Sequence, residues 1–379
     1  MALDASLLSQ LVTDLTQPAQ LFCLLLILSL TVNLEFGYAG IPNFGKVLFV
    51  AVGAFVAGSL SYRLMIYLLG LKGADIFAFQ ATFVPQIDAH LANHPLTAIG
   101  LAFFMLAIGA VLGGLVGFLS SYPAIRLRED YLGMLLLASG EFFNYASQAY
   151  YPFLGGAQGM TSPSPIFSLA AFTGEQNLAV LGVLAAFALA VYVYAEKVGR
   201  SPLGRTLRAV RDSEVASEAL GKDNVAIRRN VLIVGSMLAG MVGVLWLFYQ
   251  PYIEPGTIGS FTRQTFTFIP FVIVILGGVS NNRGVLLGTF VYLVIIESFS
   301  QGTTYILSQG YSLPVDLSRV QAVLIGALLI FVMLRRPQGL VPEKPTLTIK
   351  RSKLKEMVDN LMRGGSSDLA EVEKEAKAE

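Results

Sequence analysis

Charge is scarce in this chain. Only 13% of its 379 residues are Asp, Glu, Lys or Arg, 54% are hydrophobic, and the mean hydropathy is +0.65. A water-soluble domain carries roughly 25% charged residues, so the composition excludes one and points to a chain that places most of its surface in lipid. The 26 basic and 25 acidic residues nearly cancel, which by itself says nothing about nucleic acid; the placement of charge follows the membrane, and no nucleic-acid partner is expected. Cys23 is the only cysteine, so an intramolecular disulfide and a cysteine metal cage are both excluded. The only histidines, His90 and His94, share one short stretch with Asp88 as the one further ligand type nearby. Neither a metal set nor a Ser/His/Asp arrangement is expected from them, and Pro95 disfavours helix at His94. No G-x-x-x-x-G-K-[ST] phosphate loop occurs, so ATP hydrolysis by the usual route is excluded. No cofactor is expected. The first twenty residues hold no Lys or Arg; a secretory signal needs a basic start, so a cleaved signal peptide is not expected.

What the chain has instead is long apolar runs. A bilayer-crossing helix needs about 20 mostly apolar residues. Runs of this kind cover 19–36, 47–70, 96–121, 131–152, 177–196, 227–249, 264–281, 284–302 and 318–335, which predicts an all-α polytopic bundle of about nine spans. Residues 17–336 form this transmembrane domain, after a short N-terminal segment (1–16) and before a charged tail (337–379) that alternates basic and acidic residues. The loop at 197–226 is long and arginine-rich: Arg200, Arg205, Arg208, Arg211, Arg228 and Arg229 crowd the ends of the flanking runs. Basic residues are retained on the cytoplasmic side. Placing this loop there puts Arg126, Arg128, Arg283, Arg335 and the C-terminal tail inside as well, with the N-terminus and the stretches 71–95, 153–176 and 250–263 outside. Within the loop, Ser213 to Leu220 reads as a short helix stopped by Gly221. A structured cytoplasmic loop without a catalytic motif suggests a docking surface for another protein.

Two segments look like interrupted helices: Phe36 to Gly45, and Gly277 to Gly284, both rich in Gly, Pro or Asn. They are either short cytoplasmic turns or unwound backbone beside a substrate route. Gly109, Gly113 and Gly117, and Gly284 with Gly288, repeat at four-residue spacing, which lets helix backbones approach closely. Polar residues also lie in or beside the runs: Glu35, Asn43, Lys46, Glu141, Asn144, Gln148 and Glu297. Glu141, Asn144, Tyr145 and Gln148 share one helix face by their i, i+3, i+4, i+7 spacing. That stripe either lines a pathway for a polar solute or bonds to a neighbouring helix. Asn43, Lys46, Glu141, Asn144 and Gln148 are the candidate pathway residues.

These features together resemble the LivM-like permease subunits of branched-chain amino-acid ABC importers. The ordered motifs are Phe36-Gly37-Tyr38-Ala39-Gly40, Gly53-Ala54-Phe55, Arg126 to Leu132, Gly140-Glu141, Gly155 to Gly159, Ser201 to Arg205, Ala216 to Gly221, Leu276-Gly277-Gly278 and Arg336 to Leu340. The resemblance implies a cell-membrane permease that pairs with a second, LivH-like permease subunit, two cytoplasmic ATPases and an extracytoplasmic solute-binding protein. It also implies that Asp212 to Gly221 contains the coupling helix that docks on an ATPase, with Asp212, Glu214, Val215, Glu218, Ala219, Leu220 and Gly221 as its residues. One departure stands out: such permeases commonly carry Gln-x-Ser-x-Gly-His after the first Gly-Tyr-x-Gly turn. Here Ile41-Pro42-Asn43-Phe44-Gly45-Lys46 puts a lysine where the imidazole is usual. Urea and amide permeases share the architecture, and an ion-coupled secondary transporter using Glu35, Glu141 or Glu297 is the alternative of another class.

Overall fold

The computed structural model describes residues 2–73, 75–127, 129–169, 176–256, 260–308 and 317–343, with the backbone alone for 2–14, 124–126, 129–130, 296–308, 317–319, 321–322 and 324. The first span is α1 (Ala2–Val32), prolonged by a π-helical turn, Asn33–Tyr38. After an irregular stretch come α2 (Lys46–Leu69), α3 (Gln80–Asn93), α4 (Pro95–Arg126) and α5 (Glu129–Ala149). Two short helices, α6 (Tyr151–Leu154) and α7 (Pro165–Leu169), lead to α8 (Gln176–Arg200). Next are α9 (Pro202–Asp212), α10 (Glu214–Ala219) and α11 (Asn224–Tyr249). A second π turn, Gln264–Phe268, runs into α12 (Ile269–Gly277), followed by α13 (Asn282–Ser308) and α14 (Leu317–Arg335).

The bundle is organised around α11, which packs against both α4 and α2. Small residues make this possible. A Cβ on Gly240 of α11 would collide with the Gly109 carbonyl oxygen of α4, and one on Gly113 would reach within 2.5 Å of Ser236 O. The stripe of Gly109, Gly113 and Gly117 is therefore a backbone-on-backbone helix crossing. Gly284 and Gly288 do the same for the α12–α13 pair, where Cβ atoms would come within 2.5 Å of Gly277 O and Ile273 O.

Five helices are long and apolar enough to cross a membrane among the described residues, or six if one bent pair counts as a span. The expected nine is not confirmed among the described residues. The runs at 264–281 and 284–302 form that pair, bent by 116° at the break. Its first arm, Gln264–Gly277, reaches only about 21 Å at 1.5 Å per residue, short of the roughly 30 Å of hydrocarbon. The run at 131–152 becomes α5, whose polar stripe keeps it outside the apolar class, and Ile325–Arg335, the continuous stretch of α14 with described side chains, is a shorter apolar helix. The stretch 71–95 holds a helix, α3, that carries Pro85 internally and buries Phe83, Val84, Ile87 and Leu91.

Loops gather at two ends. At one end Met160–Thr161 pairs antiparallel with Tyr252–Ile253, and Tyr151 Oη donates to Asp75 Oδ2 at 2.6 Å. Asp88 of α3 accepts from Ser168 Oγ at 3.1 Å. At the other end lie both helix breaks and α9, and the segment after α14 folds back onto the second break through Leu340 N to Leu276 O at 2.9 Å.

Candidate functional site

The first break is built around a buried charge pair. Lys46 opens α2, and a cation there sits at the positive end of the helix dipole; it needs a counter-charge. Glu35 supplies it from the π turn: Lys46 Nζ lies 2.8 Å from Glu35 Oε1, with both side chains shut off from solvent. Asn43 Nδ2 donates to the other carboxylate oxygen, Glu35 Oε2, at 2.8 Å, and Asn43 Oδ1 accepts from Gly45 N at 3.1 Å. Lys46 Nζ also reaches Gly235 O of α11 at 3.5 Å. Gly235 is required here, since a Cβ would run into the Glu35 carboxylate. Thr267 Oγ1, from the second π turn, accepts from Val47 N at 3.1 Å.

The second break lies against the first. Asn33 Oδ1 accepts from Ser280 N at 2.8 Å, and Asn33 Nδ2 donates to Asn282 Oδ1 at 2.9 Å. Asn282 Nδ2 continues to Glu196 Oε2 of α8 at 3.3 Å. Ser280 has φ +64°, the one positive φ outside glycine among the described residues. Such strain persists only where surroundings over-determine it, and Asn33 is part of that hold. Sequence reasoning singled out both breaks but missed Asn33, Ser280 and Asn282 as their join. A lone Asn inside an apolar run was the available signal.

Next to the breaks sit α9 and α10. Ser201 caps α9 by accepting from Gly204 N at 3.3 Å, and Ser213 caps α10 by accepting from Ala216 N at 3.3 Å. Helix α10 ends in a Schellman arrangement: Gly221, at φ +75°, donates to Glu218 O at 2.8 Å, and Lys222 N donates to Ser217 O at 3.1 Å. The inner side of α10 is pinned to α11. Ser217 Oγ donates to Asn224 Oδ1 at 2.7 Å, Asn224 Nδ2 donates to Glu214 O at 2.9 Å, and Glu214 Oε1 pairs with Arg228 Nη2 at 2.6 Å. The outer side is open, with Val215 80% and Leu220 79% exposed and Glu218, Ala219 and Gly221 exposed beside them. Asp212, also exposed, pairs with Arg211 Nε at 2.9 Å.

The polar stripe of α5 faces the segment before the second π turn. Asn144 Nδ2 donates to Phe261 O at 3.0 Å and is buried. Glu141 Oε1 lies 3.5 Å from Arg263 Nη1. Gln148, half-buried, packs beside Gly256. The five candidate pathway residues thus separate. Asn43, Lys46 and Asn144 are enclosed in protein, while Glu141 and Gln148 keep partial access beside the exposed Phe142 and Tyr145. Glu297 lies on α13, and its side chain is outside the described residues. His90 and His94 stack with ring centroids 4.1 Å apart, and no group of three or more His, Cys, Asp or Glu is placed to hold a metal among the described residues.

Close-packed apolar helices with paired internal breaks, and a capped helix pair between two of the spans, define a multi-pass membrane protein of the permease class. Residues 15–333 match the family described as "Branched-chain amino acid transport system / permease component", and the chain belongs to that family. It is 35% identical over 328 residues to the probable branched-chain amino acid transport permease protein LivM of Methanocaldococcus jannaschii, covering 86% of this chain and 93% of that protein. It is 26% identical over 313 residues to the high-affinity branched-chain amino acid transport system permease protein LivM of Escherichia coli, covering 76% of this chain and 68% of that protein. No solved structure is a significant match.

Proposed function

We propose that this chain is one pore-forming half of an ATP-binding-cassette importer that carries branched-chain amino acids into the cytoplasm. Its partners in this reading are a LivH-like permease subunit, two cytoplasmic ATPase subunits and an extracytoplasmic solute-binding protein, assembled in the plasma membrane. The observation that carries it is α10: a six-residue helix, capped at both ends, anchored by Ser217 to Asn224, with Val215 and Leu220 turned outward. Exposed apolar side chains on an anchored cytoplasmic helix are suited to a partner's groove. Asp212, Glu214, Glu218, Ala219 and Gly221 complete that surface or hold it. The side that bears α9, α10 and the arginines faces the cytoplasm, as does the tail from 337.

The outward face of α5, with Glu141, Tyr145 and Gln148, is the half-channel wall, completed by the second permease subunit. Asn43, Lys46 and Asn144 support it from inside. The experiment is uptake of labelled leucine into liposomes holding the assembled importer. Uptake that needs internal ATP and is competed by isoleucine and valine is expected. Uptake by this chain alone on a proton or sodium gradient would contradict the importer reading, and uptake of urea in place of leucine would move the substrate to amides.

A further inference from the structure

Helix α9 joins its neighbours with almost no slack. One residue, Ser201, separates it from α8, and one extended residue, Ser213, separates it from α10. Gly204 seats against the Val198 and Gly199 carbonyls at the first corner, where a Cβ would not fit. Ser213 N donates back to Ala209 O at 3.0 Å while its own carbonyl accepts from Ser217 N at 3.1 Å. A displacement of α10 therefore has to move α9.

The inner face of α9 carries two arginines one turn apart, and each grips a helix break. Arg211 Nη1 donates to Gly37 O at 2.7 Å, and its stem lies along Gly40, where a Cβ would come 2.9 Å from Arg211 Cγ. Gly37 O belongs to the C-terminal end of the first span, where carbonyls lose helical partners and a cation is favoured. The Arg208 guanidinium lies over the Tyr38 ring, 5.0 Å from its centroid, and Arg208 Nε donates to Ser280 Oγ at 3.4 Å. The first break is thus held at Gly37, Tyr38 and Gly40, the second at Ser280, and the two are already joined through Asn33.

We propose that Arg208 and Arg211 are positioning residues for transport: they lock α9 to both helix breaks, so that movement of α10 reaches the broken spans as one rigid shift. The inference rests on the docking role of α10 given above. Structural anchoring alone would set how much importer assembles. Transmission sets how much solute moves per ATP.

The test uses the assembled importer in liposomes and reads three quantities: ATPase retained on purification through the permease, basal ATP hydrolysis, and leucine taken up per ATP hydrolysed. Arg211→Ala is expected to keep the first two and to lower the third about tenfold, the scale of losing one hydrogen bond from a charged donor. Arg211→Lys, whose ammonium still offers a donor to Gly37 O, is expected to retain most of the coupling. A second variant works without the guanidinium. Cβ atoms at Gly40 and Arg211 would stand 3.4 Å apart, close to disulfide spacing. Gly40→Cys with Arg211→Cys should be uncoupled when reduced and recover coupling when oxidised. Normal uptake per ATP in Arg211→Ala, loss of the ATPases from that variant, or an oxidised double variant that stays uncoupled would each overturn the proposal. A wild-type complex without ATP-driven uptake would instead overturn the docking reading, before any variant is compared.

Discussion

Glu35 and Lys46 form an ion pair at 2.8 Å across the first helix break, with neither side chain reaching solvent. Removing one partner of such a pair strands the other charge, at a cost of about 3–5 kcal/mol. Lys46→Met alone and Glu35→Gln alone should each lower the thermal unfolding temperature of the purified protein by several degrees or prevent its recovery. The Glu35→Gln, Lys46→Met double variant should regain most of the loss. A double variant no better than the worse single one would show that the pair is not a coupled unit.

The crossing of α4 and α11 tolerates no side chain at Gly240, because a Cβ there meets Gly109 O. Gly240→Val should lower stability by about 1–3 kcal/mol or more through overpacking. Gly182→Ala on α8, where a Cβ meets nothing within 4 Å, should leave stability unchanged or raise it slightly. Size-exclusion profiles and unfolding temperatures in detergent distinguish the two.

Asp88 of α3 has its carboxyl pushed above the ordinary carboxylate range, chiefly by burial, while bonds from Ser164 N and Ser168 Oγ pull the other way. The folded state therefore holds this proton more tightly than the unfolded one. As pH rises from the ordinary carboxylate value of about 4 through the raised folded value, this group's contribution to stability falls, and above it stays flat. Asp88→Asn should remove that slope and be no less stable at neutral pH. Unfolding temperature against pH checks this: a variant less stable than the wild type at neutral pH, or a wild type that gains stability as pH rises through this range, would show that the charged carboxylate is the stabilising form.

Much of this architecture was legible in the residues. Apolar runs marked the five long apolar helices among the described residues, Gly-Pro-Asn clusters marked both breaks, and Ser213 with Gly221 marked α10. What escaped was anything set by long-range geometry. Glu35 and Lys46 are only 11 residues apart, yet only the reversal of the chain at Gly40 brings them together. The face shared by Glu141, Asn144 and Gln148 was readable, but not its destination, since Asn144 bonds a carbonyl 117 residues away. The bend of 116° between α12 and α13 follows from the Gly278–Ser280 backbone, where hydropathy alone sees two spans. Helix α3 was hidden because its apolar face is narrow and Pro85 interrupts it.

Helix α10 is the proposed dock for an ATPase that drives import. Its most direct test is ATP-driven leucine uptake by the reconstituted importer carrying Glu218→Lys with Ala219→Arg, alongside ATPase retained on purification. Both residues are exposed and neither makes the Ser217–Asn224 anchor, so membrane insertion and protein level should be unchanged. The ATPases should be lost, and uptake and solute-stimulated hydrolysis should fall to background. Wild-type uptake by this variant, with its ATPases still bound, would contradict it.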